Sequence, residues 1–375
     1  MIKINYSDDL PVRSRNLHLQ TNTLDTAPKM ICTLFDGGRV LRKKEIPYSV
    51  LLSDEELRQE VEAAHKHALR SIIVLYHITA RVQSMRHATS QLRLGRQFLK
   101  WHLLDEAIAE LQLAIQYDSS LGDAYAALIH AYMLRGSLEE AEETVAQGLT
   151  QCPRYADLLY LKGRIWWRLN RYFEAMETYL EALKINPRYM AVHAALTQCF
   201  LSIRQRPSDD NNLPNPEECL RRTKVHLSKA ISLSEGINRD ALETTMRYLH
   251  KDEENPARET IDAYLDELDE AQLFSFIDGF YLMFMYGDQG REAPVIDAYL
   301  AKLKQAIAEH PNYPDLQDHL GIAYLMQCRE QFNQALLHFR QAQTLNVHAE
   351  PFKQHLKMVE NEGKGFLLLL RALLK

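Results

Sequence analysis

The chain has 375 residues, of which 46% are hydrophobic and 25% are charged, and its formal net charge is −6. This composition is typical of a globular protein and excludes a disordered or collagen-like chain. Because the net charge is negative, the chain lacks a general basic field, and no nucleic-acid partner is expected.

The N-terminal region, residues 1–87, is predicted to form a small α+β module with a connecting helix. LHLQT alternates apolar and polar residues, and MICTLFDGGRVLRKKEI predicts a β-hairpin whose turn lies at Gly37 and Gly38, because glycine tolerates positive φ. Ser53 followed by Glu56 predicts a capping box at the start of the helix.

Small residues recur every 34 positions in the middle of the chain. Such series indicate pairs of antiparallel helices, because a small residue is needed where two helix backbones approach closely. A proline then ends each pair, since it cannot continue the helical hydrogen-bond ladder. The series are Ala107, Ala141, Ala175; Ala114, Gly148, Ala182; Gly95, Ile129, Gly163; and Ser119, Pro153, Pro187.

With these small and aromatic positions, residues 88–121, 122–155 and 156–189 resemble three consecutive tetratricopeptide (TPR) repeats. A fourth repeat begins on schedule, but its second helix is displaced by an inserted loop at 206–218, which places Ala230 where Ala182 lies in the third. The resemblance assigns 88–237 to this array. It implies a mainly α fold, a right-handed superhelical α-solenoid with a concave binding surface.

Beyond the array, residues 238–362 are predicted to form divergent helical pairs and one further TPR-like pair at 314–347. Residues 363–375 are predicted to form a leucine-rich helix that is too short to span a bilayer. This helix is expected either to cap the solenoid or to dock onto a partner, a second copy or a membrane surface.

The TPR register implies which side chains line the concave groove. Arg96, His130 and Arg164 occupy the same position in successive repeats and should form a ladder. We hypothesise that the ladder binds an acidic segment with an apolar or aromatic anchor near Trp167, since arginine holds carboxylates well. The alternative is that these charges pair within the chain, with Asp123 and Asp157. The predicted groove residues are Leu92, Arg96, Lys100, His130, Met133, Tyr160, Arg164, Trp167 and Arg168.

Catalytic and metal-binding motifs are not found. The chain has no GxSxG, HExxH, phosphate-loop or EF-hand pattern, and its five cysteines are scattered without CxxC spacing. The sequence therefore predicts a non-enzymatic adaptor or scaffold for a protein or peptide partner, with no catalytic residue, metal or cofactor.

Residues 16–72 are also similar, more weakly, to a short module that precedes TPR arrays in some bacterial proteins, which favours a bacterial origin. No secretory signal or membrane-spanning run is evident, so the expected location is the cytoplasm. Two alternative functions remain open: an enzyme or enzyme regulator whose activity lies in the N-terminal module, and a self-assembling structural component.

Overall fold

The structure, a computed structural model, divides into two compact units, Met1–Asp278 and Gly279–Lys375. It describes residues 3–12, 15–24, 26–205, 213–234, 237–272, 276–287, 292–309, 314–345, 353–354, 356–361 and 363–365.

The first unit begins with a four-stranded antiparallel sheet in the order β1-β2-β3-β4. The predicted hairpin is confirmed as β3–β4, and Gly37 and Gly38 adopt φ values of 53° and 83° in its turn. The first strand was not predicted, because its charged sequence NYSDDLPV has little apolar alternation; it pairs only with its neighbour. The strands are β1 Asn5–Val12, β2 Arg15–Thr23, β3 Lys29–Asp36 and β4 Arg39–Pro47.

Helix α1, Asp54–Met85, begins at the predicted capping box, which is confirmed. It packs against the sheet through Leu57 and Val61, which join Met30 in one apolar cluster. His65 is buried against the same sheet, with ring nitrogens 2.9 Å from Thr21 Oγ1 and 2.8 Å from Asp8 Oδ2. His65 therefore serves packing, as the sequence indicated.

The repeat region consists of stacked antiparallel helix pairs with the predicted boundaries. Ala107, Ala141 and Ala175 are fully buried, as close approach between paired helices requires. The inserted segment ends earlier than expected, since α9 begins at Pro216 with Asn215 as its N-cap; residues 206–212 lie outside the described ranges. The helices are α2 Ala88–Lys100, α3 Leu104–Tyr117, α4 Gly122–Arg135, α5 Leu138–Gln151, α6 Ala156–Arg168, α7 Tyr172–Ile185, α8 Met190–Arg204 and α9 Pro216–Leu233.

Gly95 tests the close approach within the first repeat. A Cβ atom added there would lie 2.6 Å from Leu111 Cγ and 3.3 Å from the Ala107 carbonyl oxygen. Gly95→Ala should lower the free energy of unfolding by about 1–2 kcal/mol, because overpacking outweighs the gain of about 1 kcal/mol in helix propensity. Denaturant titration measures this. Gly321→Ala is the control, since its Cβ would meet nothing within 4 Å; equal stabilisation by both substitutions would contradict the prediction.

Arg15 joins the sheet to the first repeat. Its Nη2 atom lies 2.6 Å from Asp36 Oδ2, and its Nη1 atom donates to both oxygens of Glu106 at 2.8 and 3.0 Å. Glu106 is nearly buried and also accepts a hydrogen bond from the Tyr76 hydroxyl at 2.7 Å. The shared carboxylate orients the N-terminal module on the repeats.

The last helices of this unit change the pattern of the array. Helices α2, α4, α6 and α8 contact one another in sequence and form the inner layer. Helix α10, Ile237–His250, packs beside α9, whereas α11, Glu254–Gln272, packs against α10 and α8. Thus α11 joins the inner layer. The following helix, α12, is Phe276–Tyr286, and Asp278 is the last residue of the unit.

In the second unit, α13, Ala293–Glu309, packs against α14, Pro314–Leu345. The structure differs from the predicted helix pair at 314–347, because α14 is one continuous helix without a turn. The sequence between Gly321 and Leu345 contains no glycine or proline to interrupt it. Residues 363–365 of the predicted leucine-rich helix are helical, and 366–375 lie outside the described residues. Within the part described, no helix has the length and apolar character needed to cross a membrane.

Candidate partner-binding groove

A polar cavity of about 320 Å³ opens in the inner layer, among the first helices of the three regular repeats. We call it the groove pocket. Its walls repeat with the period of the sequence, since Asp157 follows Asp123 and His130 follows Arg96 by 34 residues. The lining residues are Arg96, Asp123, Ala126, Ala127, His130, Asp157, Tyr160, Leu161 and Tyr189.

Acidic side chains of α11 reach the inner layer beside this pocket. Asp262, Asp266 and Asp269 are spaced i, i+4 and i+7, so they share one face of the helix. Gln198 on α8 donates to Asp262 Oδ1 at 2.7 Å, and Arg164 on α6 contacts the other two carboxylates. Helix α11 therefore presents an acidic face to α8 and α6 from within the same chain.

Arg164 is the centre of this contact, and its side chain has no exposed area. Its Nε atom donates to Asp269 Oδ2 at 2.9 Å, its Nη1 to Gln198 Oε1 at 2.8 Å and its Nη2 to Asp266 Oδ1 at 3.0 Å. The Tyr160 hydroxyl donates to the other oxygen of Asp269 at 2.5 Å. Arg164 is thus fully occupied and is not open to an incoming partner in this structure.

Arg96 is held only by long ion pairs. Its guanidinium lies 3.6 Å from both Asp123 Oδ1 and Asp278 Oδ2. Its buried Nε has no hydrogen-bond partner among the residues that the structure describes, and neither does Asp278 Oδ2. Burial raises the pKa of Asp278, and the nearby Arg96 and Arg93 oppose that rise. Arg96 therefore keeps an unused donor at the pocket.

His130 lines the pocket although its side chain is largely buried, with 8% of the residue exposed. Neither ring nitrogen is hydrogen-bonded to another described residue. Burial is the main cause that lowers the pKa of His130 to about 4; Asp269 opposes it, and Arg164, Arg168 and Arg96 add to it. The imidazole is therefore neutral near pH 7 and has a free nitrogen lone pair.

Two carboxylates form the acidic wall of the pocket. The Tyr155 hydroxyl donates to Asp123 Oδ1 at 2.5 Å, and the Tyr189 hydroxyl donates to Asp157 Oδ1. Burial is the main cause that raises the pKa of both tyrosines, and the neighbouring aspartates add to it, so both hydroxyls keep their protons. Each tyrosine fixes one carboxylate oxygen and leaves the other available.

The remaining groove residues named from the sequence have other environments. Leu92 and Met133 are buried, and Lys100 is half-buried. Trp167 Nε1 donates to Ser202 Oγ at 3.1 Å, and Arg168 Nη1 donates to the Met133 carbonyl at 3.4 Å. Only Arg96, His130 and Tyr160 of the predicted set line the groove pocket.

The sequence analysis missed Tyr189 and the acidic face of α11. The signal for Tyr189 was available, since it lies 34 residues after Tyr155, as Asp157 does after Asp123. The spacing of the three aspartates was also visible. Their contact with Arg164 was not, because about 100 residues separate the partners and no local rule pairs them.

Residues 156–189, the third helix pair, match the family model described as "Tetratricopeptide repeat". That segment, α6 and α7, is a tetratricopeptide repeat, and the preceding pairs repeat its helices at the same spacing.

Solved structures with related folds include pilF of Pseudomonas aeruginosa, at 21% identity and a TM-score of 0.36, covering 61% of this chain and 95% of that chain. YrrB, described as a TPR protein with an unusual peptide-binding site, is 17% identical, with a TM-score of 0.34 and coverages of 52% and 94%. TTC0263, a TPR protein of Thermus thermophilus, is 18% identical, with a TM-score of 0.32 and coverages of 54% and 99%. No curated protein matches the chain.

Proposed function

We propose that this chain is a non-enzymatic adaptor or scaffold that binds a protein partner in the groove formed by α2, α4 and α6. The repeat fold supports this role, because stacked helix pairs present an extended inner surface for another chain. The observation that carries it is the groove pocket, where a buried donor of Arg96 and the ring of His130 have no partner in the described part of the chain.

The acidic partner segment hypothesised from the sequence has a counterpart within the chain. Helix α11 already supplies Asp266 and Asp269 to Arg164. An acidic partner would have to compete with this helix, which is tethered and therefore present at high effective concentration. We propose that α11 keeps this position and that an external partner binds next to it, at the groove pocket.

The N-terminal module supports binding over catalysis. Its His65 has Asp8 on one ring nitrogen and Thr21 on the other, an arrangement that resembles an activated hydroxyl. The Thr21 side chain is fully buried, however, and could not reach a substrate. We interpret the three residues as a structural connection between α1 and the sheet.

We further propose that the protein works in the cytoplasm. All five cysteines are free, and Cys152 and Cys328 are not buried. Free accessible thiols persist in a reducing compartment. Self-association or peripheral docking through the leucine-rich helix stays a prediction, because residues 366–375 lie outside the described residues.

A substitution that fills the groove pocket should abolish partner binding. Ala126 lines the pocket, so Ala126→Phe should occupy it without changing any charge. We expect at least about tenfold less partner captured from extracts of the source cells, as for a blocked interface centre. Affinity capture with quantitative mass spectrometry measures this.

Ala146→Phe is the matched control, since Ala146 is exposed on α5 and does not line the pocket. Thermal unfolding of both variants should resemble that of the parent chain. If the parent and Ala126→Phe captured the same proteins in the same amounts, the groove pocket would not be the binding site.

A further inference from the structure

The charges that line the groove pocket do not balance. Asp123, Asp157 and Arg96 are its charged lining residues. Arg96 is shared between Asp123 and the buried Asp278, which are both 3.6 Å away. Asp157 has no cationic partner among the described residues. The pocket is therefore electronegative even with Arg96 in its wall.

Hydrogen-bond capacity has the same bias. Asp123 and Asp157 each use Oδ1 to accept from a tyrosine, and in neither case is Oδ2 paired with another described residue. The neutral ring of His130, with only 8% of the residue exposed and no described hydrogen-bond partner, adds an acceptor nitrogen. A ligand that carries several donors on a positive charge matches this set.

Aromatic side chains complete the environment. Tyr160 and Tyr189 both line the pocket, and their ring centroids are 5.8 Å apart. Aromatic faces attract ammonium and guanidinium groups, particularly where water is partly excluded. Tyr160 is also fixed by Asp269 of α11, so its ring is positioned before any partner arrives.

An acidic ligand would meet the opposite situation. It would approach Asp123 and Asp157, while Arg164, which is fully buried, is already paired with Asp266 and Asp269. The acidic helix of the chain itself has thus changed the preference of the remaining groove.

We propose that the groove pocket binds the side chain of a lysine or arginine from the partner segment, with Asp123 and Asp157 as its counter-charges and His130 as an additional acceptor. This inference rests on the proposed function, because it specifies the partner chemistry of the same groove. Its cavity of about 320 Å³ lies at the small end of ligand sites and suits one long side chain with accompanying water.

The test uses small probes whose binding is localised by His130. Nα-acetyl-arginine amide and Nα-acetyl-lysine amide are titrated into the full chain at pH 7.5, and the His130 ring signals are followed by NMR. Nα-acetyl-citrulline amide and Nα-acetyl-glutamine amide provide near-isosteric neutral and polar controls, respectively. We expect the cationic probes to shift the His130 signals saturably and the citrulline probe to bind at least about tenfold more weakly, as expected for loss of one charge pair.

Variants separate local from general electrostatics. Asp123→Asn with Asp157→Asn should weaken arginine-amide binding by about tenfold or more, while asparagine can still accept from the two tyrosines. Glu143→Gln with Glu181→Gln changes the net charge equally at exposed positions outside the pocket and should leave binding unchanged. Ala126→Phe, which alters no charge, should also abolish the His130 shift.

Equal binding of citrulline and arginine amides, or no saturable shift with either cation, would overturn the cationic site. Partner capture keeps this outcome apart from the adaptor proposal itself. A partner lost from Ala126→Phe but retained by the Asp123→Asn, Asp157→Asn variant would support the groove as a binding surface and reject the basic side chain. A partner lost from both, but retained by the Glu143→Gln, Glu181→Gln control, would support both proposals.

Discussion

Arg164→Met should lower the free energy of unfolding of the first unit by about 3–5 kcal/mol, the usual cost of removing one partner from a buried ion pair. Arg164 has no exposed side-chain area and makes three hydrogen bonds to side chains on α8 and α11. Without it, Asp269 would remain nearly buried as an uncompensated carboxylate. Denaturant titration of the full chain measures the loss, and hydrogen exchange should show faster exchange in α11.

Two further variants establish that the loss comes from the buried charge pair. Arg154→Met, at an exposed position, should change stability by no more than about 0.5 kcal/mol. Adding Asp269→Asn to Arg164→Met removes the unpaired charge, so the double variant should be more stable than the sum of the two single losses predicts. Strictly additive losses, or a loss below about 1 kcal/mol for Arg164→Met, would show that the pair does not hold α11 in place.

The same contact explains which parts of the site could be predicted. The period of 34 residues predicted the helices α2 to α7 and the ladder of Arg96, His130 and Arg164, because stacking of equivalent units places equivalent residues in line. It could not predict the position of α11, since that helix departs from the period and packs on α8. The acidic face was visible in the spacing of its aspartates, but nothing local indicated that Arg164 would receive it.

The N-terminal module divides in the same way. Its hairpin and capping box follow local rules and were predictable from Gly37, Gly38, Ser53 and Glu56. Strand β1 depends on pairing with β2, and its own residues carry little strand pattern. Likewise, the break expected inside 314–347 came from the repeat pattern, whereas local helix propensity without glycine or proline determines α14.

Helix α11 also links the stability of the array to the shape of the groove pocket. Asp269 accepts from Tyr160, a wall of the pocket, and from Arg164 behind it. A partner that bound the pocket would therefore bind a surface already ordered by α11, and it would lose less conformational entropy than one that had to order the wall itself.

Acidification should destabilise the first unit through His130. Its pKa is lowered to about 4 in the folded chain, against about 6.5 when unfolded, so the neutral ring stabilises the fold above pH 6.5. This contribution is lost progressively as the pH falls from 6.5 towards 4, because the unfolded chain then binds a proton that the folded chain does not. Between pH 7.5 and pH 4.5 the loss should be about 2–3 kcal/mol.

A difference measurement isolates this histidine from other titrating groups. Burial raises the pKa of Asp262 and of Asp278, so both oppose the effect by favouring the folded state on acidification. Unfolding free energies of the parent chain and of His130→Gln should therefore be compared at both pH values. The stability gap between them should move by about 2–3 kcal/mol in favour of His130→Gln at pH 4.5, because glutamine cannot titrate. His250→Gln, at an exposed position of α10, should run parallel to the parent chain; a parallel profile for His130→Gln would mean that His130 is not held neutral by its burial.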